Sequence, residues 1–246
     1  LPVLRSLRCA YPDAVIDWVV EETSAPILED NPDVSRLIIL QTKKWRRRIS
    51  ISAARELIAV ISRLRSAGYD ATLDLQGLIK SAFLARLTGA TYRIGYHRNL
   101  CREPLSAWFN TIHVQTRPGT HIVDQQLELL RPLGIVEPDR QFVICLRAED
   151  EQRARAFVAF MGAHKKAPAA LNPGAAWRTK LWGSDNYAAL ARRIVEERGI
   201  RVLVTWGGES ERREAEAIVN SAGKGVFLAP ATDIRQLAAL LKQCSL

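Results

Sequence analysis

The chain has 246 residues, 48% of them hydrophobic, and a formal net charge of +9. That is enough chain for a large core, in one big domain or two small ones. A charge of that sign suits an acidic partner: a nucleic acid, an anionic membrane surface, or a phosphorylated or carboxylated substrate. The four cysteines, Cys9, Cys101, Cys145 and Cys244, are far apart and form no C-x-x-C pair, which argues against a zinc site or a disulfide framework and for reduced thiols. No apolar run approaches the roughly 20 residues of a membrane-spanning helix.

In chain order, Leu1–Ala10 reads as an amphipathic helix and Ala14–Val20 as a strand, followed by a short helical piece at Ala25–Glu29. Leu37–Leu40 is a strand and Gln41–Arg48 a basic loop. The spacing of Leu57, Val60, Ile61 and Leu64 predicts a helix over Ser52–Ala67. Strand Ala71–Leu75 leads through Gln76-Gly77 into helix Leu78–Leu87, then strand Tyr92–Tyr96. Helix His121–Leu133 stops before Gly134. Strand Phe142–Leu146 and the charged helix Glu149–Phe160 follow. Then come strand Ala167–Leu171, helix Ser184–Arg198, strand Arg201–Trp206, helix Glu211–Ala222, strand Val226–Leu228 and helix Asp233–Gln243. Strands alternating with helices predict an α/β fold with parallel sheets covered on both faces. We place one domain at residues 1–148 and a second at 149–246, with the charged helix as the hinge. A ligand is expected in the cleft between them, at the carboxyl ends of the strands.

Five stretches carry candidate chemistry. The central one is Leu171–Trp182, where a strand runs through Pro173-Gly174 into a loop and a helix. Backbone N–H groups and a helix N-terminus favour an anion there. Arg178 and Lys180 add charge, and Trp177 and Trp182 offer flat faces. A plain βα turn with solvated cations fits the same residues. In Lys43-Lys44-Trp45-Arg46-Arg47-Arg48, five cations surround one indole directly after a strand end, which focuses a positive field there. Nucleic acid is a second owner for that patch, but no second basic stripe or RNA-binding signature accompanies it. In Asp74–Ser81, Asp74, Gln76 and Lys80 stand at a strand end, and Asp74 can instead cap the turn. In Arg98–Pro104, Arg102 can fork onto a carboxylate or phosphate, or pair with Glu103. In Thr205–Glu211, a Gly-Gly turn precedes Glu209 and Glu211, which suit the helix dipole or accept hydrogen bonds from ribose hydroxyls. The histidines, His97, His113, His121 and His164, form no ligand spacing, and no metal is assigned.

Taken together, DLQGLIKSAFLARLTGA (Asp74–Ala90), IGYHR (Ile94–Arg98), REPLS (Arg102–Ser106), LNPGAAWRTKLW and VTWGGESE resemble the lipopolysaccharide heptosyltransferases of glycosyltransferase family nine. The KKWRRR loop with REP is closer to the heptosyltransferase I branch than to the heptosyltransferase II branch. The resemblance implies two facing Rossmann-like domains of the GT-B type, the C-terminal one incomplete. It implies inverting transfer of L-glycero-D-manno-heptose from ADP-heptose to Kdo-lipid A. Lys180 would hold the donor diphosphate, and Ala175 and Ala176, where relatives often carry Thr or Ser, would contribute backbone only. Glu211 would bind the ADP ribose, Glu209 being second choice. Lys43, Lys44, Arg46 and Arg47 would hold acceptor carboxylates and phosphates, with Arg102 assisting and Gln76 and Lys80 behind them. Leu181-Trp182-Gly183 departs from the family's Trp-Pro.

The resemblance further implies no cofactor, no nucleic-acid partner, a cytoplasmic protein, and peripheral contact with the anionic inner membrane. The family's Gly-Asp motif, which holds the catalytic base, precedes an LPxLRxL helix, and this chain opens at Leu1-Pro2-Val3-Leu4-Arg5-Ser6-Leu7. The Asp-Thr-Gly motif of the donor pocket is expected just after Cys244-Ser245-Leu246. The expectation is therefore a fragment without its general base, with half a donor site, and inactive alone.

Overall fold

The structure is a computed structural model and describes residues 1–41, 51–117, 119–163, 166–175 and 177–245. The chain divides into two compact units, residues 1–144 and 145–246. The first holds 19 Lys and Arg against 15 Asp and Glu, the second 16 against 11. The positive charge is thus shared between them rather than concentrated in the first.

The first unit runs α1 (Pro2–Ala10), β1 (Asp17–Glu21), β2 (Arg36–Leu40), α2 (Ile51–Ser66), β3 (Ala71–Leu73), α3 (Ile79–Leu87), β4 (Tyr92–Tyr96), β5 (Ile112–Val114) and α4 (Ile122–Glu128). β1 and β2 pair in parallel, as do β3, β4 and β5 in that order. The pleat sorts β4: Ile94 and Tyr96 share a face and pack with Val114 and Leu129. α1 lays Val3 and Leu7 against Trp18, Leu127 and Leu130. At the opening end of β1 and β2, Arg36 forks onto Asp17, with Nε–Oδ1 at 2.9 Å and Nη2–Oδ2 at 2.7 Å. The Tyr69 hydroxyl donates to the same carboxylate. Burial, and then that hydrogen bond, push the Tyr69 phenol up to about 12.

The second unit runs α5 (Ala148–Phe160), β6 (Ala169–Leu171), α6 (Ser184–Arg198), β7 (Val202–Val204), α7 (Glu209–Ala222), β8 (Val226–Leu228) and α8 (Ile234–Leu241). Its sheet is parallel with order β6-β7-β8. β7 is wholly buried, and its alternation divides the core. Val202 and Val204 pack with Ala188 and Ala191 of α6 and Ala215 and Ile218 of α7. Leu203 turns the other way, to Ala154 of α5 and Ala239 and Leu240 of α8. Beneath that second layer, Arg235 meets Asp150 at 3.2 Å, both under 5% exposed.

Five elements differ from the sequence reading. Phe142–Leu146 is not a strand: Phe142 is exposed, and the Val143 carbonyl accepts from Asn31 Nδ2 at 2.9 Å instead of from a ladder. The helix expected to reach Leu133 ends at Glu128. Pro132, which lacks an N–H, then sits in a separate 3₁₀ turn, Arg131–Leu133, closed by Gly134 at φ +80°. β5 and the 3₁₀ turn Pro104–Phe109 were not foreseen. The piece expected at Ala25–Glu29 is a 3₁₀ turn at Glu22–Ile27.

Candidate functional site

In the second unit the loops after β6 and β7 meet through one carboxylate. Glu211 lies in the first turn of α7, and its Oε2 accepts from the Gly207 N–H at 2.7 Å. The same carboxylate packs against Gly174 at the end of the Pro-Gly loop: its Oε1 is 2.7 Å from where a Cβ on Gly174 would stand. The strand ends below are also tied, Thr205 Oγ1 donating to Asn172 Oδ1 at 3.2 Å. Glu209, in contrast, is exposed and pairs with Arg213 at 3.7 Å along its own helix. Of the two glutamates, Glu211 is the one positioned at the loops.

Lys180 is exposed and closes a 3₁₀ turn, Arg178–Lys180, between β6 and α6. Ala175 lies partly buried beside Gly174, and Ala176 lies outside the described residues. Trp182 is held edge-on to Tyr187 at 5.3 Å between centroids, and its carbonyl accepts from Asn186 Nδ2 at 2.6 Å. Trp177 is exposed. Helices α6 and α7 start after Gly183 and Gly208 with no side-chain cap. Their first-turn N–H groups therefore face this end of the sheet, a favourable setting for an anion. A flexible cation on one strand-end loop and a fixed carboxylate on the next can hold, respectively, an anion and a pair of hydroxyls.

In the first unit the candidates gather at the carboxyl ends of β1, β3 and β4. Asp74 does not line a surface. It is buried, and its Oδ1 accepts from the N–H groups of Gln76 and Gly77 at 3.0 and 3.3 Å. It thereby shapes the turn, as the capping alternative has it. Burial raises the Asp74 carboxyl, opposed by hydrogen bonds from Ser81 and those two amides. Gly77, at φ +62°, fits under the chain at Cys101 and Arg102: a Cβ there would lie 3.2 Å from Cys101 Cα and 3.3 Å from Arg102 N. Gln76 is exposed. Lys80, in the first turn of α3, reaches Glu21 at the end of β1, Nζ–Oε1 2.9 Å.

Arg102 is exposed, and Glu103 engages the start of α3 rather than Arg102, its Oε2 accepting from the Ile79 N–H at 2.6 Å. Nothing in the sequence pointed to Tyr96. Its buried phenol is pushed up by burial first and by the Asp74 charge second, with Arg102 acting in the opposite sense. The Tyr96 phenol thus feels both Asp74 and Arg102 near the turn that Gly77 permits. The four basic residues expected to lead this group, Lys43, Lys44, Arg46 and Arg47, lie outside the described residues. His97 and His121 accept from backbone N–H groups two residues on, at 3.5 and 3.3 Å, and His113 Nε2 lies 2.8 Å from the Ala107 carbonyl. These are structural uses.

The comparisons with known proteins agree with one another. Lipopolysaccharide heptosyltransferase 1 of Pseudomonas aeruginosa is 32% identical over 221 residues, covering 87% of this chain and 59% of that protein. Its namesake in Escherichia coli K12 is 28% identical over 220 residues, covering 89% and 66%. The chain thus spans about three fifths to two thirds of the length of these curated relatives. Among solved structures, E. coli heptosyltransferase WaaC with ADP-2-deoxy-2-fluoro heptose superposes with a TM-score of 0.77 at 26% identity, covering 99% of this chain and 75% of that one. A family 9 glycosyl transferase from Veillonella parvula gives 0.80 at 22% identity, covering 99% and 69%, which speaks for the fold. The α/β class with parallel sheets is therefore that of the GT-B heptosyltransferases. The model of glycosyltransferase family 9 (heptosyltransferase) matches residues 57–246, more than half of the chain, and the chain belongs to that family.

Proposed function

We propose that the protein is an inverting glycosyltransferase that moves L-glycero-D-manno-heptose from ADP-heptose to Kdo-lipid A, in synthesis of the lipopolysaccharide inner core. The observation that carries this reading is the pairing of loops after β6 and β7, with Glu211 between Gly174 and Gly207 and Lys180 on the preceding turn. In this reading Glu211 accepts hydrogen bonds from the donor ribose. Lys180 and the open N–H groups of α6 meet the diphosphate, with Ala175 and Ala176 contributing backbone. Breaking the sugar–phosphate bond builds negative charge on the departing ADP, and a cation there stabilises the separation. The acceptor hydroxyl loses its proton to a positioned carboxylate as it attacks; the resemblance assigns that carboxylate to the family's Gly-Asp motif. Arg102, Gln76 and Lys80, with Lys43, Lys44, Arg46 and Arg47, serve the anionic acceptor. No cofactor is needed.

An acceptor of this kind is a membrane lipid, so the protein works at the cytoplasmic face of the inner membrane as a peripheral protein. Cations near such a surface each contribute about 1 kcal/mol. Family membership favours this reading over a nucleic-acid-binding module. The test is ADP release by the full-length gene product given ADP-heptose and Kdo-lipid A, with Lys180→Ala alongside. We expect acceptor-dependent release that falls at least about tenfold in the variant, roughly 1.4 kcal/mol of transition-state stabilisation. No release from the folded protein sinks the reading.

A further inference from the structure

Two adjoining elements of the first unit expose apolar side chains that the proposed chemistry does not use. On α3, Ile79 and Phe83 stand one turn apart and so share a face. They are 38% and 47% exposed. On the Pro104–Phe109 turn, Leu105 and Trp108 are three residues apart, which eclipses them in a 3₁₀ helix. They are 47% and 73% exposed. The two elements are joined by the edge-to-face rings of Phe83 and Phe109, 5.5 Å between centroids, and by the Glu103–Ile79 hydrogen bond. The result is an apolar ridge that ends in an exposed indole.

The ridge is bordered by cations. Arg86 of α3, Arg98 and Arg102 are exposed, and Arg98 lines with Trp108 a shallow pocket of about 250 Å³. The acidic groups of the same segment are already engaged. Asp74 is buried, and Glu103 is directed at the first turn of α3. We propose that this face, Ile79, Phe83, Leu105 and Trp108 rimmed by Arg86 and Arg98, docks on the surface of an anionic phospholipid bilayer. The inference rests on the reading above that the acceptor is a membrane lipid. Large aromatic side chains with one polar edge favour the headgroup level, and Arg side chains meet phosphates there. A second copy of this chain fits the face poorly, since a symmetric pairing would bring Arg86 and Arg98 toward their own like charges. Lys80 and Arg102 are carried by the same segment, so docking would bring the acceptor-binding side chains to the lipid surface that holds the acceptor.

The experiment is sedimentation of the 246-residue chain with sucrose-loaded vesicles that contain no acceptor, either phosphatidylethanolamine–phosphatidylglycerol or phosphatidylcholine alone. Two double variants accompany it, Leu105→Ser with Trp108→Ser and Arg86→Glu with Arg98→Glu, each checked for unchanged circular dichroism and melting temperature. The wild-type chain should pellet with the anionic vesicles and bind phosphatidylcholine at least tenfold more weakly. Each folded double variant should lose at least tenfold in partitioning onto anionic vesicles. Brominated lipid should quench tryptophan emission in the wild type and markedly less in Trp108→Phe. Failure of the wild type to bind, or full binding by the Leu105/Trp108 variant, overturns the proposal. So does a wild-type dimer in sedimentation velocity that this variant dissociates, because the face would then belong to a second copy. Transfer by the full-length gene product to detergent-dispersed acceptor needs no membrane, so its absence beside intact vesicle binding counts against the enzyme reading and not against docking.

Discussion

The Glu211 carboxylate occupies the space a side chain at Gly174 would need, with Cδ 2.5 Å and Oε1 2.7 Å from an ideal Cβ position there. The glycine is required by this neighbour rather than by its own backbone angles. Gly174→Ala leaves room for the fold to survive, because the obstructing group is the end of a flexible side chain. It displaces the carboxylate and breaks the bond to the Gly207 N–H. We expect a stability loss of about 1 kcal/mol and ADP binding weakened about tenfold, read by calorimetry. Glu211→Gln keeps an oxygen for Gly207 and should retain most of the stability while losing affinity. Unchanged ADP affinity in both variants would remove Glu211 from the donor site.

Glu103 is the cap of α3. Its carboxylate receives the Ile79 N–H at 2.6 Å, and Leu78, at the N-cap position itself, makes no side-chain bond. Glu103→Ala should lower stability by about 0.5–2 kcal/mol, the usual cost of losing a cap. Urea denaturation would show it, and a result within error of wild type would mean that solvent serves that end of the helix equally well.

Asp74 sets a pH dependence whose sign follows from its surroundings. Burial raises its carboxyl above the ordinary 3.8, so the native state holds the proton more tightly than the unfolded chain does. Its contribution to stability therefore falls as pH rises from 3.8 through the raised native value, and the cost of the charged form is fully present above both. Asp74→Asn keeps an oxygen for the Gln76 and Gly77 amides and removes the charge. Denaturation midpoints from pH 4 to 7 should show the variant gaining on wild type as pH rises. A flat or reversed difference would show that the three hydrogen-bond donors, not burial, govern this carboxyl.

Asp150 and Arg235 form a buried ion pair between α5 and α8. Removing one partner leaves a charge in a dry place, so Arg235→Met should cost about 3–5 kcal/mol. Adding Asp150→Leu should recover much of that loss, because the pair competes with well-packed apolar groups on nearly equal terms. If the double variant is no better than the single, the pair serves packing that neither replacement can supply.

The long, regular elements were legible. Tyr92–Tyr96 and Ser184–Arg198 coincide with their observed bounds, because a five-residue strand or a helix of four turns repeats its signal. Ile112–Val114 repeats it hardly at all, and its central His113 faces out. Phe142–Leu146 has a strand's composition without a strand to pair with, which composition cannot reveal. At the candidate site, strand-end motifs identified the loops but not the contacts. That Glu103 serves α3 depends on a turn bringing residues 24 apart together. That Lys80 meets Glu21 depends on one strand lying beside another element 59 residues away. The raised phenol of Tyr96 follows from burial and from Asp74 across the turn, and a tyrosine at the end of an apolar strand looks like any other.

The glycines that open α6 and α7 leave the second unit with a thermodynamic debt that α8, with its Asp233–Gln236 capping box, does not carry. Glycine at an N-cap costs roughly a few tenths of a kcal/mol against the best capping side chains, and two helices carry that cost at the same end of one sheet. An anionic ligand seated on those amides restores what the missing caps withhold, and at one hundred times its dissociation constant it adds about 2.7 kcal/mol to the folded state. The stability of the second unit would then rise and fall with the concentration of any anion that binds there.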